Sequence, residues 1–116
     1  LALTQCATAH YMLTIPPTRG MIEEQEPTAP CGNFNKAPSA VGDFQPISNI
    51  FLGNIGNHTV PYPLTAIPAN SATALGVQPD GSSLVGKSGT IMTIYDAGDG
   101  VLYQCGDVTF QASGNN

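Results

Sequence analysis

The sequence predicts a small all-β domain with many turns. Only 9% of its residues are charged, against about a quarter in a typical domain. Glycine and proline are frequent, with 13 and 10 residues, and both punctuate regular structure. No stretch repeats Ala, Leu, Glu and Lys at helical spacing, so no helix is predicted. These observations favour short strands joined by turns, and 116 residues suffice for one domain.

The N-terminal third predicts one strand followed by a long loop region. The strand runs from His10 to Ile15, and Pro16-Pro17 ends it because proline cannot donate to a sheet ladder. Thr18-Arg19-Gly20 is typical of a turn. The acidic run Glu23-Glu24-Gln25-Glu26 is expected to be a solvated loop, and the turn-rich stretch from Pro30 to Asn35 follows it.

The middle of the chain gives weaker signals. Asp43 to Ile47 and Asn49 to Gly53 each predict a short strand, whereas Asn54 to Pro63 predicts a loop that contains His58. Leu64 to Val77 is apolar without a clear period. A sandwich would need one or two strands there, although the proline within this segment disfavours a central strand.

A hairpin near the C terminus is the clearest structural prediction. A turn at Gln78 to Ser83 precedes a strand from Gly89 to Tyr95, a loop at Asp96 to Gly100 and a return strand from Val101 to Phe110. The apolar residues of the return strand do not follow one alternation, which predicts a bulge near Gly106. Together the segments predict an antiparallel β-sandwich of about seven strands, of the immunoglobulin or fibronectin type.

The first nine residues predict a processing site. Ala7-Thr8-Ala9 matches the A-x-A pattern at which signal peptidase cuts. Residues 1–9 are therefore interpreted as the end of a signal peptide, and residues 10–116 as the mature domain. The alternative interpretation is that residues 1–15 form a buried first strand. Cleavage after Ala9 would make His10 the first residue of a secreted or cell-surface protein.

Cleavage after Ala9 would also leave an even number of cysteines. It removes Cys6 and leaves Cys31 and Cys105, an even pair suited to an oxidising compartment. A disulfide between them is predicted. It would close a loop of about 75 residues, worth roughly 4 kcal/mol in the chain-entropy model.

Charge and motifs exclude several function classes. The net charge is −5, with three Lys and Arg residues in all, so a nucleic-acid partner is excluded. An acidic surface suits either a cation ligand or solubility alone. No P-loop, dinucleotide fingerprint or G-x-S-x-G elbow occurs, no catalytic residue is predicted, and no apolar run is long enough to span a membrane.

The two histidines of the chain, His10 and His58, suggest a copper site. An N-terminal histidine offers its α-amine and its imidazole, and His58 would add a third nitrogen. This T-shaped arrangement is a histidine brace, and it suits the tetragonal nitrogen coordination that Cu(II) prefers. Copper must displace the proton of an amine whose pKa is about 7.7–8.0, which is easy near neutral pH. The alternative is that His58 is an exposed loop residue without a role.

His58 also lies inside the sequon Asn57-His58-Thr59, so Asn57 is a predicted glycosylation site. A glycan there would crowd a copper site unless it points away from the metal. A carboxylate could supply a fourth ligand, and Asp107 on the return strand is one candidate, with an edge-strand surface charge as the alternative. Its rivals are Asp43, Asp96 and Asp99.

Ordered motifs at both ends of the mature chain carry a resemblance to a known family. They are His10 to Thr14, Pro17 to Gly20, Glu24 to Glu26, Pro30 to Asn35, Asp43 to Ser48 and Gly100 to Phe110. Together they resemble the fungal copper-binding proteins that look like lytic polysaccharide monooxygenases, a copper acquisition factor-like domain. The segment from Leu64 to Lys87 is shorter than in that family, and a second cysteine pair is missing.

The resemblance implies an immunoglobulin-like sandwich with a Cu(II) brace, in which His10 and His58 are ligands and Asp107 is the carboxylate near the metal. It implies a monomer that serves copper acquisition or homeostasis, held at the fungal surface by a lipid anchor in many members. Expected partners are the copper ion and either a membrane copper transporter or cell-wall material. The alternatives are a copper-dependent polysaccharide monooxygenase and a metal-free cell-wall structural module. A carboxylate at Asp107 argues against the monooxygenase, because it stabilises Cu(II) and occupies room beside it.

Overall fold

The computed structural model describes residues 2–5, 11–36, 41–49, 52, 57–59, 64, 66–96, 98 and 100–112. These residues form two antiparallel sheets, one of three strands and one of two, so a small β-rich fold is confirmed. Among them no helix has the length and apolarity to cross a bilayer. The elements are β1 (Ala2–Gln5), β2 (Tyr11–Ile15), β3 (Asn57–Thr59), α1 (Ala69–Leu75), a 3-10 turn (Ser82–Leu84), β4 (Ser88–Asp96) and β5 (Val101–Thr109).

The predicted C-terminal hairpin is confirmed as β4 and β5. Their register runs without interruption from Ser88 opposite Thr109 to Asp96 opposite Val101, so the predicted bulge is wrong. The irregular apolar pattern of β5 has another cause, because β5 is covered on both faces where Gln104 and Cys105 are buried. Two buried faces do not give the simple alternation of a half-exposed strand.

The start of the chain forms β1, the middle strand of its sheet. Leu3 pairs with Leu13 of β2 on one side and with His58 of β3 on the other. The alternative interpretation of one strand over residues 1–15 is wrong, because Ala2–Gln5 and Tyr11–Ile15 are two strands that pair antiparallel. The loop predicted around His58 is wrong at residues 57–59, which form β3.

The segment predicted to hold strands instead forms helix α1. Pro68 precedes the helix, and Gly76 ends it in the left-handed conformation, with its N–H directed to the carbonyls of Ala72 and Thr73. Proline at the start and glycine just past the end are helix signals. With only seven residues the helix is too short to show a clear period. Asp43 to Ile47 forms no strand, and Asn49 to Gly53 lies mostly outside the described residues.

The apolar core joins β2 to the hairpin. Tyr11, Leu13 and Leu102 are buried together, and Tyr95 packs against them, with 5.2 Å between its ring centroid and that of Tyr11. The Tyr11 hydroxyl lies 2.6 Å from Thr93 Oγ1. Burial raises the pKa of the Tyr11 phenol above its ordinary value, so this side chain stays neutral. The strand that follows His10 is thus anchored in the core.

The predicted disulfide is confirmed between Cys31 and Cys105, both fully buried. It ties the long loop after β2 to the edge of β5 that faces away from β4. Backbone bonds continue this contact, from Arg19 N to Cys105 O at 2.7 Å and from Tyr103 N to Glu26 O at 2.9 Å. The loop therefore covers β5 as an additional strand would.

Replacing Cys31 and Cys105 together by alanine should lower the free energy of unfolding by about 4 kcal/mol, because the closed loop constrains the unfolded chain. Urea unfolding followed by far-ultraviolet circular dichroism measures the change. Ser48→Ala, at an exposed position, is the control and should leave the midpoint unchanged. A double variant as stable as the parent chain would contradict this role of the disulfide.

Candidate functional site

The structure describes two of the three predicted copper ligands, His58 and Asp107, and they lie on separate elements. His10 lies outside the described residues, directly before β2. His58 is half-buried in β3, and Asp107 lies in β5, so the two described candidates belong to different sheets. Across the described ranges no three His, Cys, Asp or Glu residues are grouped so as to hold a metal ion. The histidine brace therefore stays a prediction. In the chain with residues 1–9 attached, the structure shows the contacts of Asp107.

Asp107 is oriented by a bidentate contact with Arg19. Arg19 Nη2 donates to Oδ1 at 2.8 Å and Nε donates to Oδ2 at 3.0 Å. Thr90 Oγ1, opposite Asp107 on β4, donates to Oδ1 at 3.1 Å. The Arg19 side chain is 0% exposed, whereas that of Asp107 is 35% exposed. A buried guanidinium thus fixes a carboxylate that reaches the surface.

The Arg19 side chain is fixed by the loop that surrounds it. Its Nη1 donates to the carbonyl of Phe34 at 3.1 Å. Gly20 lies against the Phe34 ring so closely that a Cβ there would be 2.5 Å from a ring carbon. The predicted turn at residues 18–20 is therefore held by Cys105 on one side and by Phe34 on the other. Sequence reasoning missed the pairing of Arg19 with Asp107, and the one available signal was the scarcity of cations.

This contact keeps the Asp107 carboxylate ionised. Hydrogen bonds from Arg19 hold the pKa of Asp107 below its ordinary value, with a further contribution from Thr90, while partial burial acts in the opposite direction. A carboxylate offers about four acceptor positions. The bonds named here use Oδ1 more heavily than Oδ2. Asp107 is thus an ionised carboxylate whose charge is paired with that of Arg19.

A second polar cluster lies in the core beside β2. Gln104 is buried, and its Nε2 donates to the Tyr11 carbonyl at 2.6 Å and to Glu26 Oε2 at 2.8 Å. The solvated loop predicted for the acidic run is wrong for Glu26, which is 0% exposed, although Glu23 and Glu24 are exposed. Glu26 is drawn inside because its carbonyl pairs with β5 and its carboxylate meets the Gln104 amide.

Comparison with protein-family models, with curated proteins and with solved structures finds no match. Two of the segments named in the sequence, Pro17 to Gly20 and Pro30 to Asn35, contact Cys105 of β5. The turn at Pro17 to Gly20 bonds to its carbonyl, and the stretch from Pro30 to Asn35 is joined to its sulfur. Segments far apart in the sequence are thus brought together beside Asp107.

Arg19→Met should raise the pKa of Asp107 toward the ordinary value of about 3.9, because the bidentate contact is lost. A lowered pKa in the folded state contributes stability above the ordinary pKa, and this contribution is lost as pH falls through the folded-state value. Arg19→Met should therefore lose stability at neutral pH and respond less to acid.

A carbon-13 carboxyl titration by NMR measures the pKa of Asp107 in both proteins. Lys36→Met removes an exposed positive charge and is the matched control, with an unchanged Asp107 pKa expected. If Arg19→Met left the Asp107 titration where it is in the parent chain, the proposed electrostatic control would be wrong.

Proposed function

We propose that the mature chain, beginning at His10, is a secreted or cell-surface Cu(II)-binding protein that serves copper acquisition or homeostasis. The ligands are the α-amine and imidazole of His10, the imidazole of His58 and the carboxylate of Asp107. The observation that carries this proposal is the carboxylate itself. Asp107 is a partly exposed, ionised carboxylate that the buried Arg19 holds in one orientation, and these features support a role as a fixed anionic ligand. The donor set of three nitrogens and one carboxylate suits Cu(II).

Cleavage after Ala9 has two effects on this site. While residues 1–9 are attached, the His10 nitrogen belongs to a peptide bond and cannot act as an amine ligand. Strand β1 also lies between β2 and β3, which places these two strands about two spacings of 4.8 Å apart. Removal of residues 1–9 frees the amine and takes away the intervening strand. The proposed site then requires β3 to move toward β2 and along it, because in the uncut chain His58 is level with Leu13.

The position of His58 also bears on the predicted glycan. Successive side chains of a strand point to opposite faces. Asn57 and Thr59 are exposed in β3, and His58 between them is half-buried. A glycan on Asn57 would therefore extend from the face opposite His58, and the sequon and the copper site are compatible.

The observed β1 favours a second candidate, a metal-free structural module of the cell wall. With its N terminus uncut, the chain keeps β1 as the middle strand of a three-stranded sheet, and His10 has no free amine. The two candidates differ in a measurable property, because only the first requires tight copper binding by a chain that begins at His10.

Residues 10–116 with a free N terminus should bind one Cu(II), whereas residues 1–116 should bind it far more weakly, because the α-amine is absent. His10→Ala and His58→Ala should each weaken binding at least about 100-fold, since even residues outside the ligand set contribute 10- to 100-fold. Asp107→Asn should weaken it about 10-fold, because the three nitrogens remain. Calorimetry gives the affinities, and the copper spin-resonance spectrum reports the nitrogen ligands.

Asp43→Asn is the matched control for Asp107→Asn, because it removes an exposed carboxylate from another segment. It should bind copper as the parent chain does. Equal affinity of residues 1–116 and residues 10–116 would refute the brace, and no Cu(II) binding by either chain would favour the metal-free module.

A further inference from the structure

We infer that Gln104 is a positioning residue for the N-terminal copper ligand: its buried side-chain amide holds the backbone of β2 directly after His10. This inference rests on the proposed function. It concerns a residue that would not touch the metal, and the hydrogen bonds that carry it join residues within 10–116. They therefore remain available after residues 1–9 are removed.

Gln104 binds β2 as a neighbouring strand would. Leu13 N donates to Gln104 Oε1 at 2.9 Å, and Gln104 Nε2 donates to Tyr11 O at 2.6 Å. These two backbone groups point to the same edge of β2, because peptide groups alternate in direction along a strand. One side-chain amide thus supplies the donor and the acceptor that the N–H and C=O of one residue in a paired strand would offer.

The direction of this amide is fixed by its partners. Oε1 must be the carbonyl end, because the Leu13 N–H donates to it. The nitrogen end then gives its two protons to the Tyr11 carbonyl and to Glu26 Oε2. A flipped amide would face a carbonyl and a carboxylate with its oxygen and would be repelled by both. Since Gln104 and Glu26 are 0% exposed, water cannot replace these partners.

Gln104 fixes Tyr11, the residue to which His10 is covalently bonded. The Tyr11 side chain is fixed at its far end by Thr93, and its backbone is fixed by Gln104. Chain termini are poorly ordered unless they are tied down, and a metal site requires its ligands within about 0.5 Å of the productive geometry. His10 provides two of the ligands, so the order of β2 decides how uniformly the amine and the imidazole meet the copper.

Gln104→Met in residues 10–116 tests this role, because methionine has a similar length and cannot make the three hydrogen bonds. Copper affinity should fall about 10- to 100-fold, as for residues that orient ligands. The copper spin-resonance spectrum should change from one species to several. Affinity and spectrum equal to those of the parent chain would overturn the inference.

Ser71→Ala is the matched control, since it also removes a buried hydrogen bond, from Ser71 Oγ to the Pro46 carbonyl beside α1. It should lower the unfolding midpoint and leave the copper spectrum and affinity unchanged. If Ser71→Ala altered the spectrum as Gln104→Met does, a general loss of stability would explain both, and the positioning role would be refuted.

If Gln104→Met does not fold, a measurement on the unaltered chain tests the positioning role of Gln104. NMR hydrogen exchange without copper should show slow exchange of the Leu13 amide and of the Gln104 side-chain amide, in residues 1–116 and in residues 10–116. Fast exchange of the Gln104 side chain would overturn the inference. The proposed function fails separately, if the unaltered residues 10–116 bind no Cu(II).

Discussion

The long loop after β2 is bonded to the edge of β5 from Tyr103 to Asp107, and the rest of the structure depends on this attachment. The disulfide at Cys105 fixes the long loop there covalently, and backbone bonds to Arg19 and Glu26 align the loop along the strand. The Asp107–Arg19 contact and the Gln104–Glu26 contact both depend on this alignment. Loss of the disulfide would therefore disturb the candidate carboxylate ligand and the support of β2 together.

Hydrogen bonds between buried polar side chains fix the arrangement of residues beside the apolar core. The core cluster of buried apolar side chains comprises Tyr11, Leu13 and Leu102, and the fully buried Glu26 and Gln104 lie beside it. Small domains bury a limited fraction of their surface and depend on additional constraints. Hydrogen bonds are directional, so the bonds from Gln104 to Tyr11 and Glu26 favour one arrangement of these residues. Here that arrangement fixes the strand that follows His10.

Local signals in the sequence predicted the hairpin, and cysteine parity predicted the disulfide. The helix at Ala69–Leu75 was missed because seven residues show no clear period, although Pro68 and Gly76 marked its ends. The burial of Glu26 and the pairing of Arg19 with Asp107 depend on segments more than seventy residues apart. Such contacts leave no local pattern, and for this reason the surroundings of Asp107 emerged only from the structure.

The N-terminal residue of the protein isolated from its source tests the central claim most directly. Edman sequencing together with the intact mass identifies it, without any assumption about copper. The account predicts a chain that begins His10-Tyr11-Met12, with the α-amine free. A secreted chain that still carries residues 1–9, or that begins with a blocked residue, would contradict the histidine brace and favour a metal-free module in which β1 is retained.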